Sequence, residues 1–366
     1  MKFLDLELQY KSIKNEVDEA INRVISRSSY ILGEEVDELE EKIASYCKVK
    51  YAVGLNSGSD ALTASLFALG IGKGDEVIVP SFTYIATAEA VAIVGATPVF
   101  CDVNDRTFNI DPKSFESVIT DKTKAVIPVH LYGQPADMDP ILSLAKKHNI
   151  KVIEDAAQAI GAEYKGKKTC SMGDIGCLSF FPTKNLGAYG DGGMLLTNKK
   201  EIADWVRMWR AHGQSKKYYT DFIGASSRLD TIQAAILLAK LPHLDEWNRK
   251  RSDLAAEYNK LFATIAGIET PFVSSEVKHV YHQYTIKTNT RDLLKQKLAE
   301  VDMPTMIYYP LPLHKQKAFL PYCNTAFDLK NSEDLASEVL SLPIYPEIKI
   351  DQIEGVLIKF NDLNRI

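Results

Sequence analysis

The sequence is poor in cysteine and carries no block of one charge. Its 366 residues include five cysteines, Cys47, Cys101, Cys170, Cys177 and Cys323. The number is odd and no two of them lie two residues apart, so neither a disulfide framework nor a zinc ribbon is expected. We therefore predict no metal site and a reducing, cytoplasmic location. A net charge of −5 without a long basic run removes nucleic acid from the expected partners.

Long apolar runs are also missing. The richest stretch, residues 90–101, is short and is interrupted by Gly95 and Pro98, so no membrane-spanning helix is predicted. The first residues, MKFLDLELQYK, have acidic side chains where a signal peptide has its apolar segment. With 46% hydrophobic and 25% charged residues, the composition is that of a globular protein. The length predicts two or three domains, or one large domain with a smaller companion.

Strand-like apolar runs alternate with helical patterns over the first two-thirds of the chain. The predicted strands are residues 51–55, 76–79, 98–103, 125–129, 151–153, 177–181 and 193–197. Helical patterns such as residues 138–148 lie between several of them. This alternation predicts an α/β domain, and continuous apolar runs are typical of the buried strands of a mainly parallel sheet.

The pattern changes near Thr231. A long helical pattern begins there, and a strand-like run at 281–287 and a helical run at 291–301 follow it. We therefore predict two domains. Residues 1–240 would form a large α/β domain, and residues 241–366 would form a smaller α+β domain.

The residues that follow each strand are the candidates for a ligand site, because open α/β sheets bind ligands at the carboxyl ends of their strands. Residues 51–55 are followed by Asn56-Ser57-Gly58-Ser59 and a helical pattern. Free N–H groups at a helix start, together with the helix dipole, favour an anion, so this segment can hold a phosphate. An ordinary N-capped helix explains the same residues.

Two carboxylates, Glu154 and Asp155, follow the predicted strand at 151–153. Burying a carboxylate at a strand end costs free energy unless the carboxylate binds a partner or remains solvated. A functional carboxylate and a solvated strand end are therefore both open interpretations.

A single lysine, Lys184, follows the predicted strand at 177–181 in a mostly uncharged stretch. Desolvation can lower the pKa of such a lysine and make its amine nucleophilic, although a single loop lysine is usually a surface residue. Four glycines between positions 187 and 193 follow it. They indicate a compact backbone, as around a bound ligand.

These three features fit one cofactor. Pyridoxal phosphate needs an amine for its aldehyde, an anion site for its phosphate and a carboxylate beside its ring nitrogen. Lys184, the helix start at residues 57–59 and Asp155 are available for these tasks. Phe82 or Tyr84 offers an aromatic face for the ring.

Eight short motifs stand in order along the chain. They are Asn56-Ser57-Gly58-Ser59-Asp60-Ala61-Leu62, Gly74-Asp75-Glu76-Val77-Ile78, Pro80-Ser81-Phe82-Thr83-Tyr84, Glu154-Asp155-Ala156-Ala157-Gln158, Ser179-Phe180-Phe181-Pro182-Thr183-Lys184, Gly190-Asp191-Gly192-Gly193, Ser227-Arg228-Leu229-Asp230 and Tyr309-Pro310-Leu311-Pro312-Leu313-His314. Through these motifs the chain resembles, along essentially its whole length, the sugar aminotransferases of the DegT/DnrJ/EryC1/StrS family.

The resemblance implies the PLP-dependent aspartate aminotransferase fold (fold type I) and a homodimer with shared active sites. It implies that Lys184 holds pyridoxal phosphate and moves a proton between cofactor and substrate. Asp155 would pair with the pyridine nitrogen, and Gln158 would lie near the ring oxygen. The remaining cofactor contacts would be Gly58, Ser59 and Ser179 at the phosphate and Tyr84 on the ring, which leaves Phe82 to the core.

The resemblance also assigns a sugar site. Arg228 would reach the sugar from the partner subunit. The side chains lining the site would be Tyr30, Thr183, Tyr308 and Tyr309. His314 stands at the position of the family's histidine in the Pro-x-Pro-Leu-His stretch, and a purely structural histidine is the alternative.

Two positions depart from the family pattern. Ser226 stands where the family has an asparagine that reaches across the dimer to the phosphate. Because a hydroxyl is shorter than an amide, this contact is expected to be lost or carried by water. Ser59 stands where threonine is usual. Neither change removes the chemistry of Lys184.

The Ser-Arg-Leu-Asp motif resembles enzymes that aminate C3 of a keto sugar, whereas many C4 enzymes carry Tyr-Arg-Met. The runs Ser29-Tyr30-Ile31-Leu32-Gly33 and Gln233-Ala234-Ala235-Ile236-Leu237 resemble the branch that acts on UDP-2-acetamido-2-deoxy-3-oxo-hexuronic acid for surface polysaccharide such as lipopolysaccharide.

We predict amino transfer from glutamate to UDP-2-acetamido-2-deoxy-3-oxo-glucuronic acid. A dTDP-3-oxo-6-deoxyhexose or a C4-keto sugar is the alternative, because enzymes for neutral sugars share the arginine and Tyr308 stands where the uronate branch can have histidine.

Two further functions are possible on the same fold. Sugar dehydratases related to this family carry histidine in place of the lysine, so Lys184 argues against that reaction. A regulatory protein that has lost catalysis is the other alternative, and Lys184, Asp155 and Gln158 together argue against it.

Overall fold

The computed structural model describes residues 1–263, 265–323, 328–353 and 355. The strands are, in chain order, β1 (Tyr51–Leu55), β2 (Glu76–Pro80), β3 (Thr97–Cys101), β4 (Thr123–Val126), β5 (Lys151–Asp155), β6 (Glu163–Tyr164), β7 (Lys167–Lys168), β8 (Ile175–Ser179), β9 (Gly193–Thr197), β10 (Gln214–Lys216), β11 (Tyr219–Thr220), β12 (Val277–Lys278), β13 (Tyr284–Lys287) and β14 (Val339–Leu342).

The helices frame these strands. They are α1 (Leu6–Ser12), α2 (Lys14–Arg27), α3 (Glu34–Cys47), α4 (Gly58–Ala68), α5 (Ala86–Ile93), α6 (Pro112–Ser117), α7 (Met138–His148), α8 (Lys200–Trp209), α9 (Thr231–Lys240), α10 (Leu244–Phe262), α11 (Arg291–Glu300) and α12 (Lys330–Glu338). Short 3₁₀ turns occur at Leu131–Gly133, Leu241–His243, Leu313–Lys315 and Leu320–Tyr322.

The main sheet has seven strands in the order β1-β9-β8-β5-β4-β2-β3. Strands β3, β2, β4, β5 and β8 run parallel to one another. Strand β9 is antiparallel to both β1 and β8. The predicted α/β architecture with a mainly parallel sheet is therefore confirmed.

Helices cover both faces of this sheet, because successive side chains of a strand point to opposite sides. In β1, Val53 and Leu55 pack in the cluster that contains α4 and α8. Ala52, the residue before Val53, packs in the cluster that contains α3 and α9. All three side chains are buried, so the sheet forms the middle layer of three, and its strand ends are left open for a site.

Of the eight predicted strands, only 51–55 and 193–197 match the structure at both ends, and two of the other six have an evident physical reason for the difference. The predicted strand at 177–181 corresponds to β8, which begins and ends two residues earlier. The sequence pattern missed this start because Gly176 interrupts the apolar run. A side chain at 176 would place its Cβ 2.3 Å from the Cβ of Cys170, so the position requires glycine. The predicted strand at 281–287 begins only at Tyr284, since Tyr281 adopts a φ of 44°, outside the β region.

A second, smaller core surrounds the β13–β14 pair. Helices α10 and α11 pack on it, and the rings of Tyr258 and Tyr284 stack with centroids 4.7 Å apart. Two strands with flanking helices agree with a small α+β domain. We propose that the large domain ends at residue 240 and the small domain begins at residue 241. The positions 264, 324–327, 354 and 356–366 of the predicted second domain lie outside the described residues.

Candidate active site

A cavity of about 450 Å³ opens where β4, β5 and β8 end. Most of the residues singled out in the sequence line it. They are Gly58, Ser59, Tyr84, Asp155, Gln158, Ser179, Thr183, Lys184, Tyr308 and Tyr309. The carboxyl ends of parallel strands and the loops after them thus form one site, as open α/β sheets generally do.

The start of α4 forms one end of the cavity. Ser57 is the N-cap, and its side chain accepts a hydrogen bond from the N–H of Asp60 at 3.0 Å. The first-turn N–H groups of Gly58 and Ser59 have no intrahelical acceptor and lie at the cavity wall. The N-cap leaves these N–H groups available for an anion, so the two interpretations do not compete.

Gly58 also allows two chain segments to approach closely. A Cβ at position 58 would lie 2.8 Å from the Cβ of Ser179, which is closer than van der Waals contact permits. Because Ser179 ends β8, the helix start and the strand end meet at this point. Hydroxyl and N–H groups from both segments can therefore surround one phosphate.

The two carboxylates at the end of β5 point in opposite directions, as neighbours in a strand do. Glu154 is fully buried away from the cavity. It accepts hydrogen bonds from the N–H groups of Met172 and Gly173, both at 2.7 Å, and from Nε2 of His130 at 3.0 Å. Glu154 therefore holds the loop before β8, and only Asp155 is left for the site.

Asp155 faces the cavity and is almost completely buried. Burial raises its pKa, while hydrogen bonds from Thr87 and Ala157 and the positive charge of Lys184 oppose that rise. The hydroxyl of Thr87 donates to Oδ2 at 2.9 Å, and the N–H of Ala157 donates to Oδ1 at 3.2 Å. A buried carboxylate held in this way is poised to pair with a cationic N–H group.

Lys184 stands on a compact turn at the same cavity. Its N–H donates to the carbonyl of Phe181 at 2.8 Å, and a Cβ at Gly187 would lie 2.3 Å from the carbonyl oxygen of Pro182. Burial lowers the pKa of the Lys184 amine to about 8, although the charge of Asp155 opposes this. A larger fraction of neutral, nucleophilic amine is therefore present near neutral pH than for an ordinary lysine.

His282 lines the cavity but was not predicted from the sequence. Its Nδ1 donates to Oδ1 of Asn185 at 3.2 Å, and Asn185 donates in turn to Asn248 and to the carbonyl of Val280. Burial and the nearby charge of Lys184 lower the pKa of His282 well below its ordinary value. This side chain is therefore neutral and fixes the residue next to Lys184.

Aromatic side chains form another part of the cavity wall. Tyr84 is 56% exposed, and its ring lies 6.0 Å from that of Tyr309. The amide of Gln158 donates to the hydroxyl of Tyr309 at 3.2 Å and accepts from the N–H of Tyr132 at 2.7 Å. Phe82 is 1% exposed, which confirms that it belongs to the core and leaves Tyr84 as the available aromatic face.

Three of the remaining predicted residues, Tyr30, Ser226 and Arg228, lie together on the surface, outside this chain's own cavity. Nη2 of Arg228 donates to Oγ of Ser226 at 2.7 Å, and the backbone carbonyl of Tyr30 accepts from Thr231 at 3.0 Å. The bridge between Ile31 and Asp230 holds the two segments together.

His314 also lies outside the cavity. Its Nδ1 is 2.6 Å from Oγ of Ser81, and its Nε2 is 3.1 Å from the carboxylate of Glu333. These contacts favour the structural alternative for this histidine over direct contact with a sugar in the same chain.

Together these groups meet the requirements of pyridoxal phosphate. The α4 start can bind its phosphate, Lys184 can hold its aldehyde carbon, Asp155 can face its ring nitrogen and Tyr84 can cover its ring. Within the ranges that the structure describes, no cluster of histidine, cysteine, aspartate or glutamate could hold a metal ion. The fold and the site are thus those of a pyridoxal-phosphate-dependent aminotransferase.

The chain belongs to the DegT/DnrJ/EryC1/StrS aminotransferase family, whose model matches residues 11–361. It is 48% identical over 364 residues to a "pleiotropic regulatory protein" of Geobacillus stearothermophilus, covering 99% of this chain and 98% of that protein. It is 45% identical over 354 residues to the UDP-2-acetamido-2-deoxy-3-oxo-D-glucuronate aminotransferase of Pseudomonas aeruginosa, covering 97% and 98%. The structure of S. venezuelae DesV with a ketimine intermediate matches with a TM-score of 0.95 at 44% identity, covering 97% of this chain and 96% of that chain.

The predicted family, fold type I and cofactor are therefore confirmed, and the chain is a sugar aminotransferase that uses pyridoxal phosphate. Further relatives are named for both UDP-linked and dTDP-linked sugars, so the sugar is a separate question. All five cysteines are free. No described helix combines the length and apolar character needed to cross a lipid bilayer.

Proposed function

We propose that this enzyme transfers the amino group of glutamate to the C3 ketone of a nucleotide-linked keto sugar, UDP-2-acetamido-2-deoxy-3-oxo-glucuronic acid. The single observation that carries the reaction is the meeting of Lys184, Asp155 and the α4 start in one cavity. The choice of sugar is supported by the 45% identity, over nearly the full length, to a relative named for that substrate.

Each residue of the cavity has a task in this proposal. When bound, pyridoxal phosphate takes up the electron pair that is released as the substrate C–H bond breaks. Lys184, with its lowered pKa, accepts the proton from one carbon and returns it to another. Asp155 keeps a proton on the ring nitrogen through a charge-assisted hydrogen bond. Gly58 and Ser59 bind the phosphate through backbone N–H groups.

We also propose a homodimer with shared active sites. Tyr30, Ser226 and Arg228 lie together outside the cavity of their own chain. Among the described residues, Arg228 forms no ion pair with a carboxylate, and Ser226 is exposed. A guanidinium whose charge is not paired with a carboxylate is available for a ligand, so a second subunit that presents this area to the cavity would complete the sugar site.

Arg228 supports a uronic acid, since a guanidinium and a carboxylate pair through two parallel hydrogen bonds. One observation favours the alternative, a dTDP-3-oxo-6-deoxyhexose or a C4-keto sugar. Tyr308 lines the cavity with a neutral phenol, and the burial of that phenol raises its pKa. An uncharged side chain at this position gives a sugar carboxylate no charge partner, which suits a neutral sugar.

The reverse reaction tests the substrate. Purified enzyme is incubated with 2-oxoglutarate and a UDP-2,3-diamino-uronic acid, and the formation of glutamate is followed. A dTDP-3-amino-6-deoxyhexose and a dTDP-4-amino-6-deoxyhexose serve as matched alternatives. Glutamate formed from the UDP uronate alone supports the proposal. Glutamate formed only from a dTDP sugar shows that the proposed sugar is wrong.

A regulatory protein without catalysis is the second candidate, because a relative at 48% identity is named as a regulator. The presence of Lys184, Asp155 and Gln158 in one cavity favours catalysis. An absorption band of the bound cofactor that changes on addition of glutamate supports an enzyme. A band that glutamate leaves unchanged supports the regulator.

A further inference from the structure

Two separate chain segments supply the aromatic wall of the cavity. The first follows β2 and carries Tyr84. The second lies 224 residues later in the chain and carries Tyr308 and Tyr309. The rings of Tyr84 and Tyr309 are 6.0 Å apart. The width of the cavity at this wall therefore depends on how the two segments are joined.

The two segments are joined at Ser81 and His314. The N–H of Leu313 donates to the carbonyl of Ser81 at 2.8 Å. The hydroxyl of Ser81 lies 2.6 Å from Nδ1 of His314. Ser81 is completely buried, and the His314 side chain is only 13% exposed. Because water does not compete at a buried hydroxyl, this bond fixes the spacing of the segments.

The outer edge of His314 is also held. Its Nε2 donates to Oε1 of Glu333 at 3.1 Å, and Lys315 forms an ion pair with the other carboxylate oxygen at 2.6 Å. A carboxylate accepts hydrogen bonds, so Nε2 carries the proton, and Nδ1 is left to accept the proton of the Ser81 hydroxyl. The ring orientation is thus determined from both sides.

We propose that His314 is a positioning residue that sets the distance between Tyr84 and Tyr309, and through it the fit of the cofactor ring and the sugar. His314 touches neither ligand in this role, and it acts through Ser81. The inference rests on the proposed function, because it takes Tyr84 as the cover of the cofactor ring and Tyr309 as part of the sugar site.

Two substitutions separate the two contacts of the histidine. In His314→Asn, the amide group takes the place of Nδ1, so the bond to Ser81 is kept and the bond to Glu333 is lost. In His314→Gln, the longer side chain takes the place of Nε2, so the bond to Glu333 is kept and the bond to Ser81 is lost. Lys315→Ala removes only the outer ion pair and is the control.

The readouts are the visible circular dichroism of the bound cofactor and the KM and kcat for the amino sugar in the reverse reaction. We expect His314→Gln to weaken the dichroism band and to raise KM roughly 10-fold, the size of one lost buried hydrogen bond. His314→Asn and Lys315→Ala should keep the band and the KM of the parent enzyme. Ser81→Ala removes the same bond from the other side and should reproduce His314→Gln, and the double variant should be no worse than either single one.

Equal effects of the Asn and Gln variants, or a band unchanged in both His314→Gln and Ser81→Ala, would overturn the inference. The folded state of each variant is checked by far-ultraviolet dichroism, and Ser81→Ala supplies the answer if a His314 variant does not fold. The dichroism readout uses the cofactor alone. A wrong choice of sugar therefore leaves it intact, and the two failures can be told apart.

Discussion

The hydroxyl of Thr87 donates a hydrogen bond of 2.9 Å to Oδ2 of Asp155, and both side chains are buried. Burial raises the pKa of Asp155, and this hydrogen bond is the largest of the effects that oppose the rise. The residue on α5 thus favours the ionised form of the β5 carboxylate, which is the form that can pair with a protonated ring nitrogen.

Replacing Thr87 with valine keeps the shape of the side chain and removes the donor. The pKa of Asp155 should then rise further, so the carboxylate becomes protonated at a higher pH. We expect cofactor affinity to fall roughly 10-fold at pH 6 and less at pH 8. Titration of the apoenzyme with pyridoxal phosphate measures this, and Thr87→Ser, which keeps the hydroxyl, is the control. Equal losses at both pH values would contradict the role given to Thr87.

Replacing Asp155 with asparagine should separate stability from activity. Because burial raises the pKa of Asp155, its contribution to the stability of the cofactor-free protein is present below its ordinary pKa and is lost as the pH rises through the folded-state pKa. Asp155→Asn apoprotein should therefore match the parent at low pH and melt higher than it at pH 8. Turnover should fall roughly 10²–10⁴-fold. A melting temperature below that of the parent apoprotein at pH 8 would show that the carboxylate stabilises the fold.

The lowered pKa of Lys184 predicts a pH dependence for cofactor capture. Only the neutral amine attacks the aldehyde, and burial lowers the pKa of this amine to about 8. The rate at which apoenzyme develops the cofactor absorption band should thus rise with pH and level off above pH 8. Lys184→Ala and Lys184→Arg should show no such band and no turnover. A rate that keeps rising to the ordinary lysine value of 10.5 would contradict the desolvated environment.

Local sequence was sufficient for the residues that stand directly after strands. Lys184 and the residues of the α4 start each lie within a few positions of a predicted strand end, and the parallel sheet brings such ends together. The sequence predicted Asp155 beside the ring nitrogen, but the strand pattern gave no reason to prefer it over Glu154, because the predicted strand stopped at Ile153. Once β5 extends to Asp155, the alternation of side chains sends the two carboxylates to opposite faces.

Contacts between distant segments were not predictable from one sequence. Thr87 belongs to no recognisable motif, and it meets Asp155 only because α5 packs against the end of β5. His282 and Lys184 are about 100 residues apart in the chain, and they line the same cavity only because the chain folds back on itself. Such contacts depend on packing geometry, which hydrophobic periodicity does not specify.

Gly58 offers a test of the phosphate site. Alanine there would place a Cβ 2.8 Å from Ser179 and must push α4 away from β8. We expect the affinity for pyridoxal phosphate to fall by roughly 10-fold or more, since helix N–H groups act on an anion only at short range. Gly72→Ala is a matched control, because its nearest neighbour would be 3.5 Å away. Equal cofactor affinity in the two variants would place the phosphate elsewhere.

Arg228 offers a test of site sharing between subunits. In the proposed dimer, Lys184 acts in its own chain and Arg228 acts in the partner's cavity. Lys184→Ala and Arg228→Ala proteins should each have low activity. In a mixed dimer of the two, one cavity has both defects and the other has neither. Random exchange of subunits should therefore restore about a quarter of the parent activity, because half of the dimers are mixed and one site in each is intact.

The same mixture excludes the opposite arrangement. If Arg228 served the cavity of its own chain, every site in a mixed dimer would carry one defect, and mixing would restore nothing. The Lys184→Ala and Arg228→Ala proteins are denatured together, refolded with pyridoxal phosphate and assayed, and each protein refolded alone is the control. Arg228 meets Ser226 outside the cavity of its own chain, and in the proposed dimer its guanidinium would reach the sugar in the partner's cavity. Recovery on mixing is therefore the expected result.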